Sequence, residues 1–301
     1  ETIRAAQIFK FVAGEALRNL GDAVASVRPG VDVMMEREAV GIIGLITPWN
    51  FPIAIPAWKI APALAFGNAV VMKPAELTPA CAWELAKILD EAGCPKGVFN
   101  LVLGSGSVVG ARIAEHPDID AVSFTGSVPT GRQIGVTCAS LGKKVQMEMG
   151  GKNPMVVMDD ADLDVAIGTC VNGAFFSTGQ RCTASSRLIV TKGIYDKFVG
   201  ALTEAADNLV VGDALDSATQ IGPVVDEKQL QQNVDYVKLA ADEGCDVRGG
   251  SIQNGPGFFQ KPAVFASASN DMRVSREEIF GPCASVIKAV DYDEALHLAN
   301  D

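Results

Sequence analysis

The sequence predicts an α/β protein: a doubly wound parallel sheet followed by a second α/β unit, with part of an extended arm. Three observations carry that expectation. Short apolar runs alternate with helical segments from residue 41 to 150, a glycine pair at Gly150 and Gly151 interrupts the pattern, and alternation resumes near residue 155. With 301 residues, 48% of them apolar and 20% charged, the chain is long enough for about two domains and apolar enough to fill their cores.

In chain order, Ala5, Ile8, Phe9, Val12 and Ala16 fall at helical spacing, so the chain opens inside a helix. Residues 24–38 alternate less regularly around Pro29-Gly30 and read as an exposed hairpin or arm. Strands are expected at 41–46, 69–72, 98–102, 121–124 and 144–147, with helices at 53–65, 79–92, 107–114 and 129–139 between them. Parallel strands joined by helices are covered on both faces, which is why these runs are short and apolar. Beyond the glycine pair, strands are expected at 155–158, 188–191 and 285–289, and helices at 163–175, 194–209 and 228–242. Ala295, Leu296, Leu298 and Ala299 give a last helical signal. Both ends fall inside helical patterns, so the chain reads as cut from a longer one.

The charge and cysteine usage exclude several classes. A net charge of −11 repels nucleic-acid phosphates and anionic lipid, so neither is an expected partner. No apolar run reaches the roughly 18 residues of a membrane-spanning helix. Seven cysteines, an odd number without a CxxC pair, fit a reducing compartment such as the cytoplasm better than a disulfide framework or a zinc site. Of the two histidines, His116 precedes Pro117 and His297 lies in the amphipathic terminal segment. A nucleophile in this chain is therefore expected to work without a histidine base.

Several segments can carry chemistry. Cys182 follows Gly179-Gln180-Arg181 between a helix and a strand, where backbone can approach closely and a cation favours thiolate. A buried structural cysteine is the competing reading. Glu148, between two methionines at the carboxyl end of an expected strand, sits where open α/β sheets place ligands, and partial burial there would suit it to general-base work. A carboxylate pointing to solvent is the alternative. Asn50 lies in Thr47-Pro48-Trp49-Asn50-Phe51-Pro52, a loop stiffened by two prolines, and is either a fixed oxyanion donor or a helix cap. Gly126 and Ser127 join a strand to a helix with amides placed for a pyrophosphate. Gly104 and Gly106 follow another strand, and Lys73-Pro74-Ala75-Glu76 offers a cation and a carboxylate for ribose hydroxyls. None of these is a G-x-G-x-x-G fingerprint, and each alone also reads as an ordinary loop.

Together the ordered motifs P-W-N-F-P, K-P-A-E, F-T-G-S, M-E-M-G-G-K-N, G-Q-R-C and E-E-I-F-G-P resemble the aldehyde dehydrogenase superfamily along the whole chain. The resemblance implies an incomplete cofactor-binding domain over 1–23 and 40–150, a partial oligomerisation arm over 24–39, and a catalytic domain over 151–301. It makes Cys182 the nucleophile, Asn50 with the Cys182 N–H the oxyanion site, and Glu148 the base that activates water for thioester hydrolysis. Lys73 and Glu76 would hold the adenosine ribose, Gly126 and Ser127 the pyrophosphate, with Gly106 nearby. Glu278 would hold the nicotinamide ribose with Phe280 beside it, Trp49 would line the cofactor cleft, and Gln229 would touch the cofactor. The cofactor is then NAD or NADP, with Glu76 favouring NAD, and no metal is needed. An aldehyde is the expected small-molecule partner, and a homodimer or homotetramer the expected assembly.

Within the superfamily, R-A-A-Q-I-F-K-F-V-A-G-E-A-L-R and W-N-F-P-I-A-I-P-A-W-K resemble α-ketoglutaric semialdehyde (2,5-dioxopentanoate) dehydrogenases. Succinate semialdehyde dehydrogenases are the neighbouring choice, but they usually carry Arg where this chain has Trp58. A semialdehyde acid needs a cation for its distant carboxylate, and Arg181 and Lys59 are the candidates on charge. CoA-acylating relatives typically lack a base at the Glu148 position, which favours hydrolysis here. An inactive fragment remains a separate reading.

Overall fold

Helix α1 (Thr2–Ala16) turns Ala5 and Val12 inward and leaves most of its other residues outside, in a computed structural model that describes residues 1–19 and 21–301. The described residues fall into two compact units, Glu1–Met149 and Gly150–Asp301. In the first, β1 (Asp22–Ala25) and β2 (Asp32–Met35) pair antiparallel as an isolated ribbon whose residues are all exposed. Then come β3 (Ile42–Ile46), α2 (Ala54–Ala65), β4 (Ala69–Lys73), α3 (Pro79–Glu91), β5 (Phe99–Leu101), α4 (Ala111–Glu115), β6 (Ala121–Gly126), α5 (Val128–Ser140) and β7 (Lys144–Met149).

The five strands from β3 to β7 pair in parallel in the order β5-β4-β3-β6-β7. The chain works outward from β3 on one side and then returns to build the other. This puts a topological switch point between β3 and β6, the place where open α/β sheets bind ligands beyond the strand ends. Alternation along β3 feeds two cores. Leu45 packs with Ile60, Val70, Met72 and Ala82, whereas Ile46 packs with Ile113, Val122, Phe124 and Ile134. The helix expected at 107–114 divides here into a π-helical turn over Gly106–Gly110 and the short α4.

The second unit runs through β8 (Pro154–Val157), α6 (Leu163–Phe175), β9 (Arg187–Thr191), α7 (Tyr195–Asp207), α8 (Glu227–Asp242), β10 (Asp246–Gly249), β11 (Ile252–Gln253), β12 (Phe259–Gln260), β13 (Ala263–Ala268), α9 (Arg273–Arg276), β14 (Cys283–Ala289) and α10 (Tyr292–Asn300). Its sheet has the order β10-β13-β14-β9-β8, with only β10 antiparallel to its neighbour. Aspartates start three of its helices. Asp162 accepts from Val165 N, Asp226 from Gln229 N and Asp291 from Glu294 N. Strands β10 and β13 lie outside the sequence expectation, although β13 is an interior strand of the sheet. Arg187, buried on β9, donates to Asn270 Oδ1 (2.8 Å) and to the carbonyls of Leu298 (2.8 Å) and Ala299 (3.2 Å) at the end of α10.

Candidate active site

In the first unit, the residues singled out in the sequence collect at the carboxyl ends of the parallel strands. The loop carrying half-buried Trp49 and Asn50 follows β3 and is anchored at its start by Thr47 N, which bonds the Lys73 carbonyl at 3.2 Å. Lys73 ends β4 and is 4% exposed, so the start of its segment is buried, while Glu76 at its end is exposed. Burial pulls the Lys73 ammonium below its usual range, opposed by the Glu76 carboxylate. Glu76 in turn accepts the Gly106 N–H at 2.8 Å, and a Cβ on Gly106 would stand 4.0 Å from Lys73 Nζ. Lys73, Glu76 and Gly106 are therefore one cluster.

Ser127 holds extended backbone at the start of α5. Its hydroxyl bonds Thr130 Oγ1 (3.0 Å) rather than capping the helix, which leaves first-turn amides for an outside acceptor. Between these elements a crevice of about 400 Å³ is lined by Ile46, Gly106, Gly110, Thr130 and Gln133, among others. Bare glycines on one wall, helix amides on another, and the buried Lys73 cation with the exposed Glu76 carboxylate beside it match what a dinucleotide's phosphates and ribose hydroxyls require. The residues present fit such a cofactor.

Glu148 lies on β7, the edge strand, and is exposed, so the expected partial burial is corrected: alternation along β7 turns Lys144, Gln146 and Glu148 outward. Its carboxylate accepts from Gln146 Nε2 at 2.7 Å. Gln146 Oε1 accepts from Lys59 Nζ at 3.1 Å and from the Ser123 hydroxyl, and Lys59 also donates to Ser123 at 2.7 Å. Burial pulls Lys59 down to about 8 against the attraction of Glu148. Lys59, the expected carboxylate anchor, is only 8% exposed as a residue, and its ammonium is bonded to Ser123 and Gln146. Gln146 and Ser123 escaped the sequence reading because only the β6–β7 register places them opposite each other.

In the second unit, the backbone before Cys182 is left-handed at three successive residues, Ser177 (φ 55°), Thr178 (φ 57°) and Gly179 (φ 64°). Non-glycine residues hold this conformation only where the surroundings over-determine it, and such runs gather at functional sites. Thr178 Oγ1 bonds the Gly222 carbonyl (3.1 Å) and Gln180 Oε1 accepts from Val225 N (2.9 Å). A Cβ on Gly179 would collide with the Gly281 carbonyl. Asn153 Nδ2 holds the Cys182 carbonyl at 2.6 Å and that of Ala184 at 3.1 Å. Arg181, the other suggested anchor for a carboxylate, donates instead to the carbonyls of Asn172 and Gly173 on α6. It ties the cysteine loop to the helix.

The other thiols separate from Cys182 by environment. Burial pushes Cys170 and Cys283 up to about 12 and raises Cys138 and Cys245. Cys81, Cys94 and Cys182 are half-buried. Cys81 lies within α3 and Cys94 just beyond it, far in sequence from any strained loop.

Glu278 packs against Gly150, where any side chain would overlap its carboxylate. Burial pushes the Glu278 carboxyl up, against the Gly151 N–H and the Lys152 ammonium. Phe280 is left-handed (φ 58°), and the carbonyl before it is held from α8 by Gln229 Nε2 (3.0 Å) and Gln232 Nε2 (2.9 Å). Gln229 Nε2 also donates to Asn233 Oδ1 (2.8 Å), so its amide nitrogen helps position the Glu278–Phe280 loop. Gln232 and the buried Asn233 were not singled out by sequence, because side-chain amides within the polar run of α8 carry no signal of their own.

Among the described residues no helix is long and apolar enough to cross a membrane. The profile of the aldehyde dehydrogenase family matches residues 1–301. The chain is 43% identical to an α-ketoglutaric semialdehyde dehydrogenase of Bacillus subtilis, over 100% of this chain and 63% of that protein. It is 40% identical to a betaine aldehyde dehydrogenase of the same organism, over 98% of this chain and 61% of that protein. The structure of an NAD+ complex of an aldehyde dehydrogenase from Bacillus cereus superposes with a TM-score of 0.96 at 37% identity, covering 99% of this chain and 60% of that one. The chain thus spans about three fifths of the length of these relatives. With the matched profile running from the first residue to the last, the chain belongs to the aldehyde dehydrogenase family.

Proposed function

We propose that this chain carries the reacting groups of an NAD-dependent dehydrogenase that converts an aldehyde, in particular a semialdehyde acid such as α-ketoglutaric semialdehyde, to the carboxylic acid. The observation that carries the reading is the loop before Cys182. Three left-handed residues and the Asn153 clamp fix one half-buried cysteine, while four others are buried with raised thiols.

The Cys182 thiolate adds to the aldehyde carbon, and the Asn50 amide and the Cys182 N–H steady the oxygen that takes up the negative charge. Bound NAD would supply the hydride acceptor at this point, and loss of the hydride from that carbon leaves a thioester on Cys182. Glu148 removes a proton from water, the hydroxide adds to the thioester carbonyl, and the Cys182 sulfur leaves as the acid forms. One aldehyde, one water and one oxidised cofactor yield one carboxylate, one reduced cofactor and two protons. Lys73, Glu76, Gly106, Gly126 and Ser127 would hold the adenosine and pyrophosphate end, while Trp49, Glu278 and Phe280 would hold the nicotinamide end. Gln229 acts through the Ile279 carbonyl. NAD in the Bacillus cereus neighbour supports this cofactor. The exposed apolar residues of the β1–β2 ribbon, Val33, Met34 and Met35 among them, support its use in self-association of a cytoplasmic homo-oligomer.

The test is NADH formation from a panel of semialdehydes by the intact protein and two variants. Cys182→Ala should abolish NADH production, and Glu148→Gln should keep a single-turnover burst while steady turnover collapses. Steady turnover by Cys182→Ala refutes the nucleophile, and a normal steady rate for Glu148→Gln refutes the base.

A further inference from the structure

With Lys59 and Arg181 both bonded inward, an acidic substrate would need its cation elsewhere in the chain. Helices α1 and α2 of the first unit enclose a groove of about 440 Å³ lined by Arg4, Gln7, Ile8, Phe11, Val12 and Trp58. The Arg4 guanidinium carbon stands 4.8 Å from the centre of the Trp58 ring. Arg4 makes no ion pair among the described residues, and no acidic side chain lines the groove. The nearest acid in sequence, Glu1, caps the start of α2 through Ile53 N (2.9 Å) and Ala54 N (3.1 Å). That contact fixes α1 on α2, and so fixes Arg4 over Trp58. Phe11 and Trp58 are 65% and 46% exposed, apolar walls around a single cation in a chain of net charge −11.

A guanidinium lying on an indole face keeps its edge N–H groups for a planar acceptor, and a carboxylate takes two of them at once. The same indole could otherwise receive a quaternary ammonium, but Arg4 already covers it and repels a second cation. The two kinds of relative differ on this point, since an α-ketoglutaric semialdehyde ends in a carboxylate and betaine aldehyde in a trimethylammonium group. Trp58 also lies in the second turn of α2, the helix that directly follows the Asn50 loop. Groove and oxyanion donor are thus consecutive along one stretch of backbone.

We propose that the α1–α2 groove is the subsite for the carboxylate of an aldehyde acid, with Arg4 as its specificity-determining residue and Trp58 as the platform that orients it. This rests on the dehydrogenase reading above and names its substrate class: short ω-oxo carboxylates, with trimethylammonium aldehydes excluded.

The experiment uses the intact protein as wild type, Arg4→Gln and Arg4→Lys. The first readout is the ratio of kcat/KM for 5-oxopentanoate to that for pentanal, which cancels damage common to both substrates. Arg4→Gln should lower the ratio by about 10- to 100-fold, the range expected for losing a charge-assisted contact. Arg4→Lys should recover part of it, and wild type should prefer 5-oxopentanoate to betaine aldehyde. The second readout needs no turnover: glutarate titrated against each protein by calorimetry, with Trp58→Phe as a further variant. Wild type should bind glutarate saturably, Arg4→Gln at least 10-fold more weakly, and Trp58→Phe in between. An unchanged ratio in Arg4→Gln, or glutarate binding equal in wild type and Arg4→Gln, overturns the proposal. Absence of turnover on every aldehyde, with Arg4-dependent glutarate binding intact, would refute the dehydrogenase reading and leave the anion subsite standing.

Discussion

Gly179→Ala probes the loop that presents Cys182 more directly than a change to the cysteine itself. Two costs add. The backbone sits at φ 64°, where an L side chain loses about 1–2 kcal/mol relative to glycine. The new methyl would also overlap the Gly281 carbonyl oxygen and lie 2.5 Å from the Gly281 carbonyl carbon and 3.0 Å from Pro282 N. All three atoms are backbone and cannot rotate away, so relief requires the two loops to part, at about the 1–3 kcal/mol typical of overpacking. The sum is about 2–5 kcal/mol. For a unit of this size that lowers the melting temperature by about 2–4 °C per kcal/mol, or about 7–14 °C at the middle of the range. Gly244→Ala is the control within the same unit, because Gly244 is also at positive φ (92°) with nothing within 4 Å of its Cβ. It should show the backbone cost alone. Thermal unfolding of both variants by circular dichroism measures the difference. If Gly179→Ala melts with Gly244→Ala, the collision is relieved without cost and the two loops are not rigidly apposed.

Two further outcomes follow from the electrostatics. Burial holds Lys152 down to about 8, and its Nζ has no hydrogen-bond partner among the described residues. Because the native pKa lies below the unfolded one, the unfolded chain binds more protons between pH 8 and about 10.5, so stability of the second unit should rise across that window, by on the order of 3 kcal/mol at most, and Lys152→Met should flatten the slope in urea titrations. Glu76→Gln removes the negative charge beside the ribose cluster and should improve kcat/KM for NADP relative to NAD by about 10-fold or more; a ratio equal to wild type would show that Glu76 does not read the 2′ position.

How much of this was legible beforehand depended on whether a residue's partner is set by local pattern or by pairing. Strands β3, β4, β6 and β7 announced themselves as short apolar runs between helices. Strand β13 did not: Ala263–Ala268 follows a stretch containing Gly255, Pro256, Gly257 and Pro262, which reads as loop, and it becomes a strand because β10 and β14 flank it. The motifs named the chemical residues but not their supports. Asn153 stood inside M-E-M-G-G-K-N without a stated role, yet it holds the Cys182 carbonyl. Charge by itself does not separate Lys59, Arg181 and Arg4, which look alike in sequence. They differ in what surrounds the head group: Ser123 and Gln146 for the first, helix carbonyls for the second, and an open aromatic groove for the third. Glu148 was placed on the right strand, but whether an edge-strand carboxylate is covered is a tertiary property that strand periodicity does not contain.

The reach of Arg187 from β9 to the end of α10 has a consequence for how the second unit opens. The last carbonyls of a helix ordinarily face water, and final turns fray at almost no cost. Here the carbonyls of Leu298 and Ala299 are the acceptors for the guanidinium of Arg187, a residue 6% exposed at the start of the interior strand β9. Its remaining acceptor, Asn270, is bonded in turn to Asp301. If α10 peels away, Arg187 is left as a buried charge stripped of two of its three partners, a state that costs several kcal/mol. Fraying of α10 is therefore coupled to the integrity of β9. Amide protons along the last turns of α10 should exchange with deuterium on the same slow clock as those of the central strands, so that helix and sheet open as one cooperative block.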